Sequence, residues 1–192
     1  MIDSVRVINT WPSQNQVYVE KTPSILAYNT TPPTWGGSVE AEDSPRVEYF
    51  KLGLQPTARY YLGSGGPSNL PFLNPNWRHP DLPQKTALEF AGDYLTCINR
   101  WVTEEYLPKQ FARAFLKDLR LSYVITVPAI WTDSAKALTR QAAEQAGIKK
   151  ENLDLIIEPE AAALYCATLC LEADLRDGDR FIVCDAGGGT VV

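Results

Sequence analysis

Histidine is almost missing from these 192 residues; His79 is the only one. A Ser-His-Asp or Cys-His hydrolase would rest on that residue alone, with nothing supplying the supporting geometry. Cysteine is sparse as well, and Cys97, Cys166, Cys170 and Cys184 are too few and too irregularly placed for a disulfide framework or a zinc site. Cys166 and Cys170, four apart on a predicted helix, read as core or semi-exposed thiols. Basic residues are outnumbered, 18 against 23 acidic, for a formal charge of −5 and a pI near 5.0. That balance argues against a nucleic-acid groove or an anionic membrane surface, both of which need clustered Lys/Arg. No apolar run approaches the ~18 residues of a membrane span, and the N-terminus (MIDSVRVINTWPSQ) lacks the apolar stretch of a signal peptide. What is present is core material: 45% hydrophobic and 10% aromatic residues, five of them Trp, which excludes global disorder. The chain reads as a reduced, cytosolic, acidic globular protein, the size of one domain or two small ones.

Punctuation divides it. Eleven of the 14 prolines and six of the 12 glycines precede residue 84, a density that excludes long helices because each interior Pro costs about 3 kcal/mol. Short β-prone runs remain: Val5, Val7 and Ile8; Ser24-Ile25-Leu26-Ala27-Tyr28; and Tyr60-Tyr61-Leu62. Gly63 to Pro83 reads as a long irregular connection. From Gln84 the pattern changes: Leu88, Ala91, Leu95, Ile98 and Val102 recur at helical spacing and predict an amphipathic helix over 85–106. Pro108 is expected to interrupt it, with a second helix carrying Phe111, Ala114 and Phe115 to near Leu119.

The remainder alternates. Tyr123-Val124-Ile125-Thr126-Val127 predicts a strand stopping at Pro128; Thr132 or Asp133 caps a helix ending at Gly147. Leu155-Ile156-Ile157 is the next strand, and Glu158-Pro159 opens a helix with Pro near its start, where a missing N–H does no harm. Asp177-Gly178-Asp179 reads as a turn and Phe181-Ile182-Val183-Cys184 as a third strand, ending at Asp185. This β-α-β-α-β order implies an α/β sheet.

Ligands of α/β sheets bind beyond the carboxyl ends of strands. Three such ends carry Pro128, Glu158 and Asp185. In Asp185-Ala186-Gly187-Gly188-Gly189-Thr190 the glycines let backbone N–H groups approach an anion, the carboxylate suits a magnesium ion or its water, and Thr190 offers a hydroxyl to phosphate. An ordinary Gly-rich turn is the competing reading, and a Walker loop is excluded because no Lys-Ser/Thr succeeds the glycines. For Glu158 the competitor is a helix-start acid favoured by the dipole, a role better suited to a solvent-facing Glu160.

Val127-Pro128-Ala129, Asp133, Ala143, Ala146-Gly147-Ile148, Ile156-Ile157-Glu158-Pro159-Glu160-Ala161-Ala162-Ala163 and Phe181 to Thr190 together resemble the nucleotide-binding domain of the heat-shock 70 kDa chaperone family. Order and spacing agree across about 70 residues; Trp131 and the Ala-rich helix resemble a divergent branch, and Lys21 to Tyr28 resembles the family's early Thr/Val-Pro-Ser strand. The implied fold is α/β, a partial actin-like ATPase (ribonuclease H-like) fold: its first lobe with an inserted helical subdomain, truncated at both ends. The boundaries expected are 1–84 for a Pro/Gly-rich strand-and-loop region, 85–120 for the helical subdomain, 121–178 for the β-α-β-α core, and 179–192 for the opening strand and glycine turn of a second lobe.

The resemblance implies that Asp185 orients magnesium-bound water and the attacking water. Gly187, Gly188 and Gly189 would form a phosphate loop, and Thr190 would hold the γ-phosphate. Glu158 would link nucleotide state to an interdomain switch involving Pro128 and relayed by Lys136. Lys51 would hold the γ-phosphate, with a solvated surface lysine as the alternative. The implied cofactor is ATP or ADP with Mg2+; the implied partners are client proteins and co-chaperones, in a stress-response chaperone of the cytoplasm, with no nucleic acid and no membrane.

The departures bear on activity. The family's Asp-x-Gly-Thr-Thr first phosphate loop has no match, and the sequence stops soon after the glycines. Losing about three charge-assisted hydrogen bonds of ~1.5–3 kcal/mol each weakens affinity by roughly 10³- to 10⁶-fold. Weak or absent nucleotide binding and no hydrolysis by the chain alone are therefore expected. Two other readings stand beside this one. The first is a non-hydrolysing interaction protein docking through 85–120 and the loops around Trp35 and Trp77, although the Trp residues read better as packing. The second is a truncated or decayed gene product.

Overall fold

The computed structural model describes residues 6–13, 20–40, 42–43, 45–55, 84–169, 178–180 and 182–184. Two small sheets and a long helix organise them. Strand β1 (Ile25–Ala27) is flanked on both sides by antiparallel partners, β2 (Thr34–Trp35) and β3 (Arg46–Glu48), with Leu26 opposite both Trp35 and Val47. Leu26 and Ala27 are fully buried, so this short sheet is held by its apolar centre rather than by length.

Helix α1 (Ala87–Trp101) lies against that sheet. Its start is dictated locally: the Thr86 hydroxyl accepts from the Glu89 N–H at 3.3 Å, and the Thr86 N–H donates to Glu89 Oε2 at 2.8 Å. This reciprocal box satisfies two otherwise orphaned donors. Phe90 and Tyr94 turn inward, and the Tyr94 hydroxyl reaches the Pro23 carbonyl at 2.9 Å. The Tyr28 hydroxyl donates to Asp93, which Lys85 also contacts; burial first, then that hydrogen bond, pushes the Tyr28 phenol well above its ordinary range. Trp11, Trp35 and Trp101 form a triangle with ring centroids 5.1–6.4 Å apart, which makes these tryptophans packing groups.

The chain does not break at Pro108. After Trp101 the helix widens into one π-helical turn, Val102–Tyr106, and continues as α2 (Leu107–Gln110), with Pro108 in its first turn. Proline at that point would clash with a carbonyl four residues back in a regular helix. The wider turn moves that carbonyl away, and the Leu107 N–H closes on the Val102 carbonyl. The expected second helix shortens to a single turn, α3 (Arg113–Leu116), which exposes the stacked rings of Phe111 and Phe115.

Strand β4 (Tyr123–Val127), helix α4 (Asp133–Gln145), strand β5 (Leu153–Ile157) and helix α5 (Glu158–Leu169) keep the predicted order. The two strands are parallel, in register from Tyr123↔Leu153 to Val127↔Ile157. Thr132 caps α4 by accepting from the Ala135 N–H. At its other end Gly147 takes φ 80°, and the N–H groups of Gly147 and Ile148 return to the carbonyls of Glu144 and Ala143. That left-handed closure favours glycine. Ala135, Ala142 and Ala143 have no exposed surface, and their small side chains let α4 approach α1 closely. Val127 and Trp131 join Leu26, Phe50, Phe90 and Tyr94 in one apolar core.

Among the described residues, two expected strands are absent. Val7 and Ile8 belong to no strand, and Val7 is exposed; Val5 lies outside the described residues. A β-prone tripeptide without a pairing partner has nothing to hold it as a strand. Ile182–Cys184 likewise belongs to no strand, with Ile182 94% exposed. Tyr60-Tyr61-Leu62 and the 63–83 connection lie outside the described residues. Among the described residues, no helix is long and apolar enough to cross a membrane.

Candidate functional site

The register of β4 and β5 places Val127 beside Ile157, so Pro128 and Glu158 leave adjacent strands at the same level. Both are carboxyl ends, where α/β folds collect ligands. Pro128 is buried, and its carbonyl accepts from the Trp131 N–H at 3.1 Å, closing the turn that leads into α4. Glu158 is the first residue of α5, held between a strand end and a helix start.

Lys51 arrives there from a distant part of the chain. It lies on a short 3-10 turn, Phe50–Leu54, anchored by buried Phe50 and Leu54. The turn is entered through Tyr49 at φ 59°, ψ 14°, a left-handed conformation uncommon for a bulky residue and a mark of local strain. Lys51 Nζ donates to Glu158 Oε1 at 2.7 Å across 107 residues of sequence. The two side chains retain 49% and 27% exposure, so the pair is reachable from solvent.

Trp131 forms the floor. Its indole is 6% exposed, and Lys51 Nζ lies 5.8 Å from the ring centroid. Next to it the Thr132 hydroxyl donates to Gln55 Oε1 at 3.0 Å while accepting from the Ala135 N–H. Gln55, 3% exposed, closes the lysine turn, so one hydrogen bond fastens that turn to the start of α4. Sequence reasoning passed over Gln55, and it noted Trp131 only as a mark of divergence. No signal in the sequence marks Gln55, because its burial is a product of the fold.

Of the other residues singled out, Lys136 stays local: its ammonium is 3.9 Å from Asp133 Oδ1, within its own helix. Glu160 is exposed, as its reading as a helix-start acid required. Asp185, Gly187, Gly188, Gly189 and Thr190 lie outside the described residues, as do Trp77, His79 and Cys170.

Two parallel strand ends with a lysine and a glutamate converging on them define the site class: a solvent-reachable ion pair at the carboxyl edge of a parallel strand pair. The family profile described as "Hsp70 protein" matches residues 105–192. Human "Heat shock 70 kDa protein 12A" is 31% identical over 123 aligned residues, covering 36% of this chain and 18% of that protein. The mouse protein of the same name is 30% identical over 123 residues, and human "Heat shock 70 kDa protein 12B" 29% over 124, each with the same coverage. The chain thus spans about a fifth of the length of the curated relatives it matches. No solved structure gives a significant match. From residue 105 onward the sequence is similar to the Hsp70 family, and the mixed helices and small sheets are compatible with part of an actin-like ATPase domain.

Proposed function

We propose that the chain contributes part of a heat-shock 70 kDa-type nucleotide-binding domain that holds Mg–ATP or Mg–ADP across the ends of β4 and β5. The observation that supports this reading is the Lys51–Glu158 pair at 2.7 Å, which joins two residues that the resemblance assigns to the nucleotide site, Lys51 to the γ-phosphate and Glu158 to the switch. A lysine beside a phosphate acts as a compact point charge, and a carboxylate close by suits a metal-bound water. The fit is also energetic. Exposed ion pairs are worth only about 0.2–1 kcal/mol, so an incoming phosphate can take Lys51 from Glu158 at little cost to the fold.

In this reading Lys51 holds the terminal phosphate and Glu158 links the nucleotide state to the interdomain switch. Pro128 carries the change into the α4 turn, and Lys136 relays it. Asp185, Gly187, Gly188, Gly189 and Thr190 complete the phosphate and magnesium contacts. Bound Mg–ATP would supply the phosphoryl group and the metal charge for hydrolysis. That chemistry depends on positioning from several sides. With no Asp-x-Gly-Thr-Thr motif in these 192 residues, their own groups bind weakly and do not complete hydrolysis. The domain regions 1–84, 85–120, 121–178 and 179–192, the client and co-chaperone partners, and the cytoplasmic setting belong to the same proposal.

A heteronuclear NMR titration with Mg–ATP tests it, since shift changes register even millimolar affinity. Shifts concentrated at Lys51, Glu158 and Gly187–Gly189 are expected; none at millimolar nucleotide rejects the reading. The interaction-protein alternative keeps one observation in its favour, the exposed stacked pair Phe111–Phe115 with centroids 5.3 Å apart. Partner capture unchanged by Glu158→Gln but lost on Phe115→Ser would favour it.

A further inference from the structure

We propose that Trp131 is a positioning residue for Lys51: its buried ring face, locked in register by the Gln55–Thr132 hydrogen bond, holds the ammonium at the β4–β5 strand ends. The inference rests on the reading of Lys51 as a phosphate-holding lysine and adds a group that this reading did not contain.

Lys51 projects from a short, strained turn with half its side chain in solvent. A lysine in that setting has four rotatable bonds, and holding it in one direction costs roughly 2 kcal/mol of rotamer freedom. The pair with Glu158 alone cannot hold it during ligand exchange, because the ligand takes that bond. The indole is the contact that persists. It is 6% exposed, so its position is set by the core, and its face lies 5.8 Å from Nζ. A cation over an aromatic face is attracted electrostatically without competing for the ammonium protons. Those protons remain free for an anion.

The Gln55–Thr132 bond makes the arrangement a unit. Gln55 comes directly after the last residue of the lysine turn, and Thr132 comes directly after Trp131 and caps α4. The 3.0 Å bond between them therefore ties cation and ring together on opposite sides of the contact. A shift of either element would break a nearly buried polar contact, which is costly once its partner is gone.

The test pairs geometry with affinity. In the nucleotide-free chain the Lys51 ε-methylene protons should be shifted upfield by the indole ring current, a shift kept in part by Trp131→Phe and lost in Trp131→Leu. Mg–ATP affinity, read from the same NMR titration, should fall about three- to tenfold in Trp131→Leu, and Trp131→Phe should recover most of the loss. Because a leucine in the core can unfold the chain, a tetrafluorinated tryptophan at position 131 provides the second variant. It keeps the shape, removes the negative ring face, and should weaken binding by a similar factor with an unchanged melting transition. Affinity that responds to neither leucine nor fluorination overturns the positioning role while leaving the Lys51 reading intact. Affinity that survives Lys51→Met undiminished overturns both.

Discussion

Gly92 offers the sharpest check on how closely α1 and α4 approach each other. A Cβ built at Gly92 would lie 2.4 Å from Gln145 Oε1, 3.2 Å from its Cβ and 3.4 Å from its Cδ. The first contact is with the far end of a flexible side chain, which can swing away. The second requires the helices to separate by a few tenths of an ångström. Against this, alanine in a helix interior is favoured over glycine by about 1 kcal/mol. The two effects oppose each other, so Gly92→Ala should fall within about 1 kcal/mol of wild type. Gly92→Val has no such escape: its branched atoms enter the space of α4, and overpacking of this kind costs about 1–3 kcal/mol. Truncating the obstacle should reveal the hidden gain, making Gly92→Ala with Gln145→Ala more stable than the sum of the single changes by about 0.5–1 kcal/mol. Urea unfolding monitored by tryptophan fluorescence measures wild type and the four variants, Gln145→Ala alone included. A valine variant as stable as wild type, or strictly additive alanines, would refute the close approach.

Thr86→Ala should cost about 1 kcal/mol through loss of the α1 cap. Hydrogen bonds from the Thr86 backbone N–H and then its hydroxyl hold the Glu89 carboxyl below its usual range. A depressed folded pKa contributes stability above the unfolded value of about 4.3 and loses it as pH falls through the folded value. The variant should therefore show a shallower loss of stability on acidification, measured by melting from neutral pH to pH ~3. Burial, reinforced by Asp93, pushes the Cys97 thiol up to about 11, whereas Cys166 is exposed. Iodoacetamide at neutral pH should alkylate Cys166 and spare Cys97 until urea is added, as peptide mapping would reveal. Glu158→Gln should change the melting stability by less than about 1 kcal/mol, because the bond it weakens is part-exposed; a larger loss by calorimetry would make the pair a structural one.

Much of the second half was legible because local chemistry and tertiary packing agree there. The β-branched run before Pro128, the Thr132 cap and the Gly147 closure each specify a boundary by a short-range mechanism, and all three stand where the sequence puts them. The first half was less legible. Strands β2 and β3 are two and three residues long and exist through pairing with β1, which leaves almost no periodic signal. Val7 and Ile8 carry β propensity but belong to no strand, and Pro108 passes through a helix because the preceding turn widens. At the site, Glu158 and Pro128 could be named from strand ends. The meeting of Lys51 with Glu158 could not be derived from periodicity, since 107 residues separate them. The indole beneath the lysine was invisible for the same reason.

The widened turn at Val102–Tyr106 also sets a heading for the helical segment beyond it. One residue of a regular helix corresponds to about 100° of rotation and 1.5 Å of rise. Deleting a single residue there would thus swivel the Phe111–Phe115 pair about a quarter-turn around the helix axis and drive the Pro108 ring back against the backbone. The extra residue acts as a steering joint, and its removal would redirect the exposed rings while the capped start of the helix stayed where it is.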